Sequence, residues 1–434
     1  MKKILLLSCC FFALPAHAGE AFQPRVEGNW RYSNDRSILM SEFWVPLAQD
    51  ETSVFYGDLR LMGDNLDARE FNAGLGYREM VRSELFGRGV IGVNGWVDRR
   101  RTPRGTHFNQ ITGGLEWFGE AVDAKLNAYV PLNDSKTFTQ ANPNGTNGRF
   151  VGNQIVVNTD QTVREEALAG VDLEFGVKLD FMDTYTDQTR AYGGVYHFNG
   201  NRAEDVTGFR ARVASDITEN FQVGTRFQHD DVRGSQTYFE ATVRFPFGSK
   251  KSFKKEGLRA RLDESPERDI DIVSNEAVVD DGLNVVLTNT STGAVQTVIH
   301  VNNQAAGGGD GSAERPYNTL AAAEGAAGAN DLIYVHRGDG TTAGQTNGIT
   351  LDDAGQKLIG AGVDLTLADL GITTANGRGL NANTVIIPKN SAGAPVITNG
   401  GGDGVNITND NILVAGLTVD NASTRGIYAL SLIH

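Results

Sequence analysis

The chain has 434 residues and a formal net charge of −14, and 40% of its residues are hydrophobic, with 52 glycines and 11 prolines. That length calls for two or more domains, and the composition excludes a disordered chain. The acidic balance argues against nucleic acid as the main partner, and no window approaches the roughly 20 apolar residues of a spanning helix, so any membrane insertion has to be by strands.

The N-terminus reads as a secretory signal, 1–18: Lys2 and Lys3 form the charged region, 4–14 the apolar core, and Ala16-His17-Ala18 an Ala-x-Ala site that leaves Gly19 first. A lipoprotein site at Cys9 would cut the apolar run to a few residues and is set aside. Cys9 and Cys10 are the only cysteines, so the mature chain would hold neither a disulfide nor a thiolate site.

From Arg25 the pattern changes to period two. In VDAKLNAYV, Val122, Ala124, Leu126, Ala128 and Val130 alternate with Asp123, Lys125, Asn127 and Tyr129; ALAGVDLEFGVKL alternates in the same way from Ala167. One face is apolar and the other carries charges and glycines, as in a strand between lipid and a wet lumen. Twelve such strands are expected, at 25–32, 37–47, 53–62, 68–78, 90–98, 107–118, 122–130, 166–179, 189–198, 206–216, 221–229 and 235–247. Most are close to the ~9–11 residues that cross a bilayer when tilted. The fold class is therefore all-β, with a twelve-stranded antiparallel transmembrane barrel over 19–248.

An even count puts both barrel ends on one side, the periplasm. The longest connection, 131–164, is then external and reads as a solvated loop with almost nothing to bury, whereas EMVRSELFGRG, between strands four and five, is long for a periplasmic turn. The same parity places Glu27, Arg31, Glu42, Asp58, Arg60, Arg78, Asp98, Glu116, Arg210, Arg212, Arg226, Glu240 and Arg244 in the lumen, where they either line a passage or pair across the wall. Trp44, Trp117, Tyr129, Phe245 and Phe247 lie near strand ends and are expected in interfacial girdles.

Four successive strands carry a resemblance. Gly74, Gly76, Tyr77 and Arg78 in FNAGLGYRE, Gly92, Asn94, Trp96 and Asp98 in VIGVNGWVDRR, Gly114, Glu116 and Trp117 in QITGGLEWFG, and Asn127, Tyr129 and Leu132 in VDAKLNAYVPL are similar to the signature run of the inverse autotransporter β-domain of the intimin–invasin family. The resemblance covers about half the chain. It implies an outer-membrane barrel that anchors and exports a C-terminal passenger, inserted through the Sec translocon and a barrel-assembly machinery that reads the terminal aromatics Phe245 and Phe247. The family's lysin motif before the barrel is absent, and the passenger does not read as a string of immunoglobulin-like domains.

After the barrel, 249–276 loses the alternation and carries Lys250, Lys251, Lys254, Lys255, Arg259, Arg261 and Arg268. These residues are expected to find carboxylates while the linker threads the pore, and Glu267-Arg268-Asp269-Ile270-Asp271-Ile272 resembles the family's post-barrel linker. Beyond it, 277–434 holds six Lys or Arg against fourteen Asp or Glu and is rich in Gly, Ala, Asn and Thr. The stretch from Asp310 to Gly340 resembles the entry of right-handed parallel β-helix proteins: Pro316 and Tyr317 lead a capping helix, 318–327, and Leu332, Ile333 and Val335 form the first full strand. Ile386, Val396, Ile407, Val414 and Val419 are expected to align in the core. The apolar end SLIH suggests a passenger that continues further.

No catalytic, cofactor or metal site is expected. The histidines lack metal-ligand spacing, and no Ser-His-Asp or phosphate-loop pattern occurs. Asp352, Asp353, Asp403, Arg337 and Lys357 suit a polysaccharide-cleaving face but read better as surface charge. The expected role is an anchor and exporter of an adhesin-like passenger, with outer-membrane lipid and a surface ligand (glycan or host or neighbour-cell protein) as partners. The alternatives are a surface polysaccharide lyase or hydrolase and, third, a plain porin.

Overall fold

The computed structural model describes residues 22–84, 87–133, 135–145, 147–247, 257–288, 293–372 and 378–430. The signal residues Ala18 and Gly19, and Lys250, Lys251, Lys254 and Lys255, lie outside them. The chain forms two compact units, one of residues 1–136 with 164–277 and one of residues 137–163 with 278–434.

The first unit is a closed barrel of twelve antiparallel strands. They are β1 Arg25–Tyr32, β2 Ile38–Gln49, β3 Ser53–Asp64, β4 Arg69–Ser83, β5 Gly87–Arg101 and β6 His107–Gly119, then β7 Val122–Pro131, β8 Ala169–Lys178, β9 Gln188–Asn199, β10 Val206–Thr218, β11 Phe221–Asp230 and β12 Gly234–Pro246. Each pairs with its neighbour in sequence, and β1 closes on β12 with Arg25 opposite Pro246, which leaves the wall no open edge. The alternation sorts the faces. Leu59, Leu61, Leu75, Val93, Leu115 and Val195 are exposed on the outside, while Glu27, Asp58, Arg78, Asp98 and Glu116 are buried inside. An apolar outside and a polar inside are what a lipid-embedded barrel requires.

Three expectations about the wall are corrected. The link between strands four and five is not long, because the ladder continues to the pair Ser83↔Gly87, which leaves three residues between the strands, and Gly87 has φ +74°. Trp44 and Tyr129 are not girdle residues. Both are fully buried on the lumen side, Trp44 stacked on Tyr56 and Tyr129 bonded to Asp172, because they share the parity of Glu42 and Asn127. The connection 131–164 is not an empty solvated loop. It carries a hairpin, Gly148–Val151 with Gln154–Val157, whose Ile155, Val156 and Val157 are buried.

That hairpin belongs to the second unit. Val285–Val286 pairs antiparallel with its second strand, and most of the other strands of the unit are short and parallel. Val298–Val301, Leu332–Val335, Lys357–Gly360 and Leu413–Ala415 form one stack. Ile349–Leu351, Val405–Ile407 and Ile427–Ala429 form a second, and Val396–Thr398 with Thr418–Asp420 a third. The first parallel strand is thus Val298–Val301 rather than the one at Leu332. The helix is Leu320–Glu324, capped by the Thr319 hydroxyl on the Ala322 N–H, and it buries Leu320 and Ala323. Ile386 leaves the expected core row and sits in an antiparallel pair with Leu365–Thr366, and Ile397 rather than Val396 is the fully buried member of its strand.

Candidate functional site in the barrel lumen

The lumen wall is built from glycines set opposite large side chains. Gly74 faces Trp96, Gly76 faces Tyr56, Gly92 faces Glu116 and Arg78, and Gly114 faces Asn94 and Asn127 across the ladder. A Cβ at Gly74 would stand 2.5 Å from the Trp96 ring, and one at Gly76 would enter the Tyr56 ring. The missing side chains let the rings lie flat on the wall. Gly176 does the same for Tyr192, and Gly208 for Tyr196.

Arginines cover these rings. Arg60 and Arg268 lie 4.5 and 4.6 Å from the Trp96 centroid, Arg78 lies 5.1 Å from Tyr56, and Arg212 lies 3.6 Å from Tyr192. In a site withdrawn from water such cation–π contacts reach about 2 kcal/mol. Each guanidinium also meets carboxylates: Arg78 with Glu116 at 2.8 Å, Arg60 with Glu42 and Asp58 at 3.1 Å, and Arg212 with Glu174 at 2.7 Å. Buried charges persist only when paired and hydrogen-bonded in this way.

Residues 257–273 occupy the bore. The segment starts in a 3-10 turn, Gly257–Arg261, at the end of the barrel where Phe22 and Phe247 lie, and there Leu262 packs with Phe22, Trp44, Val54, Tyr56 and Phe118. Arg261 bonds Asp123 at 2.8 Å as well as Glu264, and the Arg78 guanidinium donates to the carbonyls of Leu262 and Glu264. Further along, Pro266 O accepts from Arg60 at 2.9 Å and Glu267 pairs with Arg226 at 2.6 Å. Arg268 grips Asp98 with two bonds, 2.8 and 3.0 Å. The Asp269 N–H donates to the Tyr129 hydroxyl at 2.7 Å while its carboxylate holds Arg210 at 2.8 Å. Asp271 bridges Arg36 and Arg100, at 2.6 and 3.0 Å. At the far end Ile272 packs on Phe108, and Val273 on Leu168, Tyr196 and Phe198. Apolar anchors at both ends and a charged run between them hold the segment along the lumen. Beside it a cavity of about 750 Å³ remains, lined among others by Arg25, Glu27, Arg190, Arg244 and Glu264.

The residues singled out in the sequence fall in three places. Gly74, Gly76, Arg78, Gly92, Asn94, Trp96, Asp98, Gly114, Glu116, Asn127 and Tyr129 come together in the lumen, and Arg261 and Arg268 meet them there from the segment, while Arg259 is half-buried on its first turn. Tyr77, Trp117, Phe245 and Phe247 stand on the outer face, with the Phe247 N–H on Pro24 O at 2.8 Å. The cation run was expected to meet wall carboxylates, but the converse set was missed: Glu267, Asp269 and Asp271 on wall arginines. Their alternation with Arg268 and Ile270 was visible. Asp123, Asp172 and Glu174 were also readable from strand parity, whereas Arg36 sits in a turn where parity says nothing. Among the described residues no group of three or more His, Cys, Asp or Glu could hold a metal ion.

No family model and no curated protein matches the chain. Solved structures similar to it include a protein studied for the in-meso crystallization of membrane proteins (13% identity, TM-score 0.44, 59% of this chain and 100% of the other). They also include an outer membrane channel from Pseudomonas putida F1 (9%, 0.34, 53% and 100%) and the KdgM porin (6%, 0.29, 52% and 99%). The expected exporter of a C-terminal passenger is corrected. The bore through which a passenger would pass is filled by residues 257–273, which are fixed to its wall. The chain carries a closed twelve-stranded antiparallel barrel whose apolar outer face and charged lumen are those of a barrel that spans a membrane.

Proposed function

We propose that this protein is an outer-membrane barrel of the channel class, kept closed by its own residues 257–273. The observation that carries the reading is the fastening of that segment through Arg268–Asp98, Glu267–Arg226 and Asp269–Arg210, beside a charged cavity of about 750 Å³. Both charge signs line the cavity, so the solutes it suits are small and polar, with no strong preference for either sign. The four strand motifs similar to the inverse autotransporter β-domain fall on the consecutive strands β4–β7, which supports kinship of the barrel with that family without its export role. The three stacks of parallel strands support a second unit of the parallel β-helix kind. The terminal strand β12, with Phe245 and the Phe247 that follows it, is the one we propose the barrel-assembly machinery to read.

The test is conductance in a planar lipid bilayer, comparing the full chain with a variant in which 258–272 is replaced by a Gly-Ser segment of the same length. The expected result is a closed wild type and clear conductance steps in the variant. Equal conductance of the two, or a folded variant that stays silent, overturns the reading.

A further inference from the structure

The hairpin Gly148–Val157 is carried by the chain between wall strands β7 and β8, yet its buried side chains lie in the core of the second unit. Ile155 and Val157 are fully buried with Leu287, Val298, Leu332, Tyr334 and Ile359, and Phe150 packs against the same cluster. The main chain is joined as closely. Leu287 N–H donates to Ile155 O at 2.8 Å and Val298 N–H to Asn153 O at 2.9 Å. The Asn153 amide donates to Val298 O and Gly311 O, both at 2.9 Å, and Ala313 N–H to Gly152 O at 2.8 Å.

These bonds fall where the parallel stack begins. Val298–Val301 is its outermost strand, and a solenoid's first coil has an open core and unpaired backbone groups on that side. The helix Leu320–Glu324 covers only the other cluster, around Ile333 and Val405. The first cluster is closed by the hairpin instead.

Order of formation favours the hairpin as well. Val151 pairs with Gln154 across a two-residue turn in which Gly152 takes φ +56°, so it closes locally. Hairpins form in about 1–10 μs, whereas parallel strands are paired only after long loops close. Val298 pairs with Leu332, Leu332 with Lys357, and Lys357 with Leu413, each across such a loop. We propose that the hairpin Gly148–Val157 is the template on which residues 278–430 fold: it offers the first paired edge and the first buried apolar surface, and the parallel strands add to it in turn.

The experiment uses the full chain in detergent. Folding of 278–430 is followed by pulse proteolysis, and barrel integrity by heat-modifiable migration in the same samples. The double variant I155D/V157D is expected to leave 278–430 protease-sensitive while the barrel stays heat-modifiable. Val157→Ala is expected to slow refolding of 278–430 by nearly the whole factor by which it shifts the equilibrium, and Val405→Ala, in a later strand, to speed unfolding with refolding changed less than about twofold. A protected 278–430 in the double variant overturns the proposal. So does a Val157→Ala chain that refolds at the wild-type rate and only unfolds faster, because the hairpin would then be a late cap.

Discussion

Tyr56 lies directly across the ladder from Gly76, and its ring fills the space that a side chain at Gly76 would take. Arg78 covers the same ring at 5.1 Å, and the Leu262 and Glu264 carbonyls bind Arg78 in turn. Glycine, ring, cation and lumen segment therefore form one stack.

Gly76→Val is expected to destabilise the barrel by about 1–3 kcal/mol, because the ring must leave the wall and the Arg78 stack goes with it. Tyr56→Ala costs stability by itself, since the ring packs with Trp44 and Leu262, but in that background Gly76→Val should add little, because the new side chain then has room. A double-mutant cycle on heat-modifiable migration measures this, and strictly additive effects would show that the two residues are not coupled.

Asp98 and Arg268 make the clearest single tie between wall and segment. Arg268→Ala leaves Asp98 buried with only Thr112 and Asn72 as partners, and is expected to cost about 3–5 kcal/mol. Arg268→Lys should recover little, because an ammonium can neither bond both oxygens in one plane nor lie flat on Trp96 as well. Thermal melting of the two variants in detergent decides it.

Much of the wall was legible because the period-two rule operates residue by residue. Leu61 and Asp58 differ in parity, and the structure puts one outside and the other inside. Trp44 and Tyr129 share the parity of Glu42 and Asn127, and parity, not nearness to a strand end, decides that both face the lumen. Residues 131–164 misled for a different reason. Polar residues dominate the connection, and the short apolar run Ile155-Val156-Val157 finds its core with Leu287 and Val298, which lie far away in sequence. The ties of Glu267 and Asp271 likewise depend on where an irregular segment runs, which no periodicity encodes.

The parity of Trp44 can be read in fluorescence. Trp30 is 50% exposed on the outer face and Trp44 is 0% exposed. Lipids brominated along their chains are expected to quench a variant that keeps only Trp30, and to leave one that keeps only Trp44 within about a tenth of its unquenched intensity, since contact quenching needs the probe at the lipid face. Equal quenching of the two would place Trp44 on the outside.

His300 and His336 sit on adjacent parallel strands or their ends, with His300 Nδ1 3.1 Å from His336 Nε2 and both rings against Phe150 and Tyr334. Burial first, and then the neighbouring His336, lower the His300 pKa from 6.5 to about 3, and burial lowers that of His336 as well. Between pH 6.5 and 3 the unfolded chain therefore binds more protons at His300 than the folded one, so stability is complete above 6.5 and is lost as the pH falls. At pH 5 the loss from His300 is about 2 kcal/mol, taking 1.36 kcal/mol per pH unit. The second unit should accordingly become protease-sensitive at lower denaturant at pH 5 than at pH 7, and His300→Gln, which cannot take up the proton, should remove most of that difference. A pH response unchanged in His300→Gln would assign the titration to another group.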